Sequence, residues 1–204
     1  MPAGIREFLG GFLRTGPCRI GQVRIFPDFR LRNIEDAENS GLAIFSDPYD
    51  AIEIARYDDK GNYRPLKTAP SLQHGWMLKL KDLNETTLAL DFLYPAALGT
   101  ALAFARNTLK HVNLRETLER QTGMYAITKK ITDEQAESTI ACTCNHEEGC
   151  LRHILWSISH GRPSSLSRRG SDIRCSGNEI PILCAEACNL LVATVRKVVK
   201  SRVA

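Results

Sequence analysis

Aromatic residues are scarce in this chain. Phe, Trp and Tyr make up 7% of its 204 residues, too few to supply a surface that stacks unpaired bases. A large charge of either sign is missing as well. The net charge of +4 permits an anionic ligand without pointing to nucleic acid. No stretch reaches the roughly 18 consecutive apolar residues of a membrane span. The opening segment MPAGIREFLGGFLRT is interrupted by Arg6, Glu7 and Arg14, unlike the uniform apolar run of a signal peptide. A phosphate loop, a dinucleotide-binding glycine fingerprint and a Ser/His/Asp order are all absent. The expectation is a cytoplasmic protein with neither nucleic acid nor membrane as partner.

Cysteine is nearly absent from the first 141 residues, which hold Cys18 alone. Cys142, Cys144, Cys150, Cys175, Cys184 and Cys188 all follow. An odd count with this skew argues against a disulfide framework spread through the fold. In a reducing compartment, grouped cysteines more often bind metal or carry redox chemistry. They are not needed merely to fold the chain, because 204 residues at 43% hydrophobic content can bury a core unaided.

Hydrophobic spacing predicts the elements. Residues 4–14 read as a short amphipathic helix with Ile5, Phe8, Leu9 and Phe12 on one face, stopped by Gly16-Pro17. Residues 18–33 alternate as two short strands around Pro27-Asp28. A helix follows Asp47-Pro48, residues 58–75 form an ordered loop, and 76–82 return as a strand. Residues 86–110 are helical with a break at Pro95, and 114–121 make a short helix. Residues 124–131 read as a strand. Thr132 with Gln135 is a capping box that opens a helix running to about Cys142. A short helix over 150–158, a mobile loop over 160–178 and a last helix over 185–200 complete the chain. The fold class expected is α+β: a small mixed α/β domain over residues 1–90, then a mostly helical domain over 91–204.

Two tight cysteine groups stand out. Cys142, Cys144 and Cys150 lie in ACTCNHEEGC, between two expected helices. Cys184 and Cys188 lie in PILCAEACNLL, at the expected start of the last helix. On a helix, positions four apart share a face, so both sulfurs would point to one place. Leu191, Val195 and Val198 continue that stripe into the core. A helix N-terminus also favours thiolates and an anionic group held by them. Cys18 and Cys175 read as small buried hydrophobes. Zinc is the competing metal because His146 and His153 are close in sequence. Both histidines read more simply as surface or partner residues, and neither group has a C-x₂-C knuckle.

Longer segments carry a family resemblance. GNYRPLKTAPSLQHGW (61–76), LDFLYPAALG (90–99), LRETLERQTGMYAI (114–127), GCLRHILW (149–156) and LCAEACNLLVATVRK (183–197) follow one another in family order. The chain resembles, from about residue 20 onwards, the stabilising and iron–sulfur domains found fused to or beside CbiX-type sirohydrochlorin chelatases. The resemblance implies a 4Fe-4S cluster on four cysteines. Cys150, Cys184 and Cys188 carry over directly. The fourth is Cys144 or Cys142, with Cys144 preferred because a C-x₅-C loop to Cys150 wraps one cluster edge more easily. The chelatase domain and its metal-inserting histidines have no counterpart here, so chelatase activity is not transferred. The implied role is accessory to such a chelatase in siroheme or cobalamin synthesis, by electron transfer, redox sensing or scaffolding. The alternatives are a zinc-stabilised interaction domain without redox chemistry, or an enzyme with a three-cysteine, substrate-binding cluster.

Other polar residues have two readings each. Arg115, Arg120 and Arg152 could line a site for an anionic tetrapyrrole, or pair with Glu116, Glu119 or Glu147-Glu148; ion pairing is the simpler reading. Arg152 could also neutralise cluster charge and raise its potential. Arg64, Lys67 and His74 sit in a loop stiffened by Pro65 and Pro70. Arg162, Arg168, Arg169 and Arg174 make the 160–174 loop basic, which usually means a solvated surface.

Overall fold

The computed structural model describes residues 3–37, 41–144, 149–175 and 177–201. The chain divides into two compact units: residues 1–108 with 174–182, and residues 109–173 with 183–204. Residue 90, where the sequence suggested a boundary, lies inside a helix.

The first unit opens with α1 (Ala3–Leu13), which buries Leu9 and Leu13. Three strands follow where the sequence suggested two: β1 (Cys18–Ile20), β2 (Val23–Ile25) and β3 (Arg30–Asn33). The extra reversal is a two-residue turn at Gly21-Gln22. Gly21 has φ +53°, and a Cβ there would lie 2.8 Å from Ile182 and 2.9 Å from Tyr94. Only glycine fits that turn, and the Gln22 N–H donates to the Tyr94 hydroxyl at 2.9 Å. After β4 (Ala43–Phe45) and α2 (Asp50–Arg56), β5 (Trp76–Lys79) enters the same sheet. β4 has no counterpart in the sequence reading. β7 (Glu179–Ile180) arrives from far down the chain, so the sheet order is β4-β5-β3-β2-β1-β7. The pairs β1–β2, β2–β3 and β3–β5 are antiparallel, whereas β4–β5 and β1–β7 are parallel.

One face of this sheet is apolar, with Cys18, Ile20, Val23, Ile25, Leu31 and Leu78 all buried. Helices α3 (Leu83–Leu93) and α4 (Ala97–Ala105) add Leu90, Leu93, Leu98 and Ala101 to the core. Asp82 caps α3 by accepting from the Asn84 and Glu85 N–H groups. The break expected at Pro95 is present, and α3 and α4 meet at 105°. No single helix among the described residues is long and apolar enough to cross a membrane.

The second unit is mostly helical: α5 (Leu114–Glu119), α6 (Asp133–Cys144) and α7 (Asn189–Lys200), with β6 (His153–Ile154) and β8 (Leu183–Cys184) as a parallel pair. The α+β expectation is met. The capping box is also present: Gln135 N–H donates to Thr132 Oγ1 at 3.3 Å, and Thr132 N–H donates back to Gln135 Oε1 at 2.9 Å. Three local expectations fail. Residues 123–130 form a 3₁₀ helix rather than a strand. Residues 150–158 contain β6 rather than a helix, because Leu155 N–H pairs with Cys184 O at 3.0 Å and register comes from β8. The last helix begins at Asn189 rather than near residue 184.

Candidate functional site

The capping box at Thr132 fixes where α6 starts, and twelve residues later the helix ends on Cys144. Cys150 follows on an irregular segment that leads into β6. Cys184 ends β8. Cys188 is the N-cap of α7, in extended conformation. The C-x₃-C pair therefore does not lie on one helical face; a strand end and a helix cap present the two sulfurs instead.

The four thiols nonetheless come together. Burial, and then the neighbouring thiols of Cys188, Cys184 and Cys150, push the Cys144 thiol up from 9.0 to about 12. Burial first raises that of Cys184, and Cys188 and Cys150 raise it further. Two groups oppose this rise. The Trp156 indole N–H donates to Cys184 Sγ at 3.2 Å, and the Arg152 guanidinium acts on the same sulfur. Cys184 Sγ also lies 3.2 Å from Glu186 O. Beneath the sulfurs is a core of Leu114, Ile140, Ile154, Trp156, Leu191 and Val195, against which Cys144 and Cys188 pack. Burial disfavours a thiolate, and a hydrogen bond or a positive charge restores it. Only a cationic centre lets four crowded thiols ionise together, so this all-sulfur set fits a soft metal or iron–sulfur group.

Cys142 is different. It is exposed and lines an open groove of about 570 Å³ with Ser138, Thr139, Thr194 and Val198. Cys18 is buried in the sheet core, where burial alone raises its thiol to about 11. Cys175 belongs to the first unit, its sulfur 3.8 Å from Ala101 O. His153 pairs in register with Leu183, and Ile154 with Cys184. Successive strand residues face opposite ways, so His153 projects away from the side that carries Cys184. His146 and Glu147-Glu148 lie outside the described residues. Among the described residues, no group of three His, Cys, Asp or Glu is placed to hold a single metal ion. The ligands of a cubane attach to four separate irons and need not converge that closely.

Arg115 and Arg120 both pair with acids. Arg115 binds Asp133 and donates to Ile131 O at 2.7 Å. Arg120 binds Glu186. Arg162 from the basic loop joins Asp133 at 3.3 Å and Glu134 at 3.5 Å. Arg64 is buried and donates to Ala55 O and Ala69 O, so it braces the 57–75 loop. Trp156 was missed in the sequence reading. A lone Trp two residues past a cysteine-bearing segment's strand, with an N–H that must be satisfied when buried, was the available signal.

Comparison with known proteins agrees with the family resemblance. A 4Fe-4S iron-sulfur cluster binding domain family matches residues 106–197. The DR2241 stabilising domain family matches residues 11–103. No curated protein matches. A solved structure, DR2241 from Deinococcus radiodurans, aligns over 98% of this chain at 28% identity with a TM-score of 0.79. It is described as a multi-domain protein with structural similarity to chelatases and two additional novel domains. This chain spans 41% of its length.

Proposed function

We propose that this chain holds a 4Fe-4S cluster on Cys144, Cys150, Cys184 and Cys188 and acts as an accessory to a sirohydrochlorin chelatase of the CbiX type. The first unit is its stabilising domain and the second its cluster-binding domain. The reading rests chiefly on one observation: burial, and then thiols from separated segments, raise the proton affinity of Cys144 and Cys184, beside an indole N–H and a guanidinium at Cys184. The matched 4Fe-4S domain family supports the cofactor. The chelatase similarity of the solved neighbour supports the pathway, siroheme or cobalamin synthesis in the cytoplasm, with an anionic tetrapyrrole as the partner's cargo.

A bound cluster would supply one-electron exchange. The chain's own residues do the rest. Trp156 and Arg152 stabilise negative charge on the Cys184 sulfur, which favours the reduced form. Leu191, Val195 and the ring of Trp156 keep water from that side. Cys144 is preferred over Cys142 because it packs on the same core as Cys188.

Anaerobic purification with iron and acid-labile sulfide analysis tests the cofactor. The expected result is a brown protein with about four of each per chain, as a cubane requires. A colourless protein with one zinc per chain sinks the proposal. Co-elution with a separately encoded CbiX-type chelatase, dependent on the intact cluster, tests the partner.

A further inference from the structure

Helix α5 carries no cysteine, yet its bonds reach the segments that do. Val112, just ahead of it, donates its N–H to Ala185 O at 3.0 Å, inside the CAEAC loop. Leu114 and Arg115 donate theirs to Ser157 O at 2.9 Å and Ile158 O at 3.0 Å, on the segment that continues β6. The Arg115 guanidinium binds Asp133 at the start of α6.

The far end of α5 grips Glu186, which stands midway between Cys184 and Cys188. The Glu186 carboxylate binds Arg120 and accepts from the Thr117 hydroxyl at 3.3 Å. Arg120 is held in turn: its Nε donates to Glu116 O at 3.3 Å and its Nη2 to Thr117 Oγ1 at 3.4 Å. At its other end, the backbone carbonyl oxygen of Glu186 lies 3.2 Å from Cys184 Sγ. The carbonyls of Cys184, Ala185 and Cys188 each accept a backbone N–H, from Leu155, Val112 and Val192 respectively. That of Glu186 accepts none among the described residues, so its direction depends on how the side chain is held.

A free Cys184 thiol donates its hydrogen to that oxygen. A sulfur bound to metal has no hydrogen to give, and the carbonyl faces it with the negative end of its dipole. This opposes added negative charge, against Trp156 and Arg152, which favour it. We propose that Glu186 is a positioning residue: gripped by Arg120 and Thr117, it keeps its own carbonyl on the Cys184 sulfur and so holds down the potential of the group bound there. The inference rests on the 4Fe-4S reading above. The grip and plain charge predict opposite signs. Loss of the Arg120 cation by itself disfavours an added electron and lowers the potential, weakly, because Arg120 and Glu186 are both exposed and water and salt screen them. Loss of the grip lets the carbonyl turn from the sulfur and raises the potential.

The test is voltammetry on the full chain, purified anaerobically, with iron content and melting temperature measured in parallel. Arg120→Gln should shift the potential to a more positive value, with iron content and melting temperature near those of the parent. Thr117→Val, which changes no charge, should shift it the same way by less. Arg120→Lys, which keeps the ion pair, should stay near the parent. A more negative or unchanged potential in Arg120→Gln overturns the proposal, and so does a shift in Arg120→Lys equal to that in Arg120→Gln. Loss of iron from Arg120→Gln overturns it as well, because the grip would then assemble the site rather than set its potential. A parent without iron sinks the 4Fe-4S reading and this inference together, whereas an iron-bearing parent whose potential ignores Arg120 sinks this inference alone.

Discussion

Cys18 and Cys184 are both buried cysteines on short strands, one in each unit. Cys18 faces the apolar side of a sheet, and burial is the sole cause that raises its thiol. Cys184 meets an indole N–H, a guanidinium and two further thiols. Burial alone makes a cysteine a small hydrophobe; burial with polar neighbours aimed at the sulfur makes it a candidate ligand. The contrast matters because sequence composition treats the two residues alike.

The largest effect should come from exchanging the two. Cys184→Ser should remove most of the cluster's visible absorbance and iron, whereas Cys18→Ser should leave both unchanged. Equal iron loss in the two variants would erase the distinction. Next is the pH response of cluster-free protein. Cys144 moves from 9.0 unfolded to about 12 folded, so the folded state holds its proton more tightly. Its contribution to stability is complete below pH 9.0 and is lost as pH rises towards about 12. The melting temperature of the apoprotein should fall over that window, and Cys144→Ser should flatten the slope. A slope unchanged by that substitution would assign the effect elsewhere, Cys18 included.

Trp156→Phe keeps an aromatic side chain, removes the N–H donor to Cys184 and leaves a small cavity where the larger indole was buried. Voltammetry should show a more negative potential at near-normal iron content, with a stability loss of roughly 1–3 kcal/mol from the lost hydrogen bond and the cavity together. An unchanged potential would remove Trp156 from the site. The smallest effect belongs to Cys142, two residues from Cys144 but exposed. Iodoacetamide should label Cys142 first, and Cys142→Ala should leave the cluster spectrum intact. Loss of the spectrum would make Cys142 the fourth ligand.

Several features were legible because they are local. A capping box needs only Thr132 and Gln135, three residues apart. A helix break needs only Pro95, whose ring excludes the preceding turn. What failed was also local inference, applied where partners lie far away. Leu151, Ile154, Leu155 and Ile158 have helical spacing, yet Ile154 pairs with Cys184 thirty residues on. The helical face assigned to Cys184 and Cys188 was mistaken, although their sulfurs still neighbour one another. The 160–178 segment read as one loop, yet residues 174–182 belong to the first unit through β7.

The sequence by itself determined that sulfur is grouped near the C-terminal end, where α6 starts and where α3 and α4 part, and which family the chain resembles. Those are properties of residue type and short spacing. Tertiary structure alone decided that Cys144 rather than Cys142 packs beside Cys188, that Trp156 reaches Cys184, and that Arg120 meets Glu186. Each depends on strand register or helix packing between segments distant in the chain, and no local pattern encodes a register set by a remote partner.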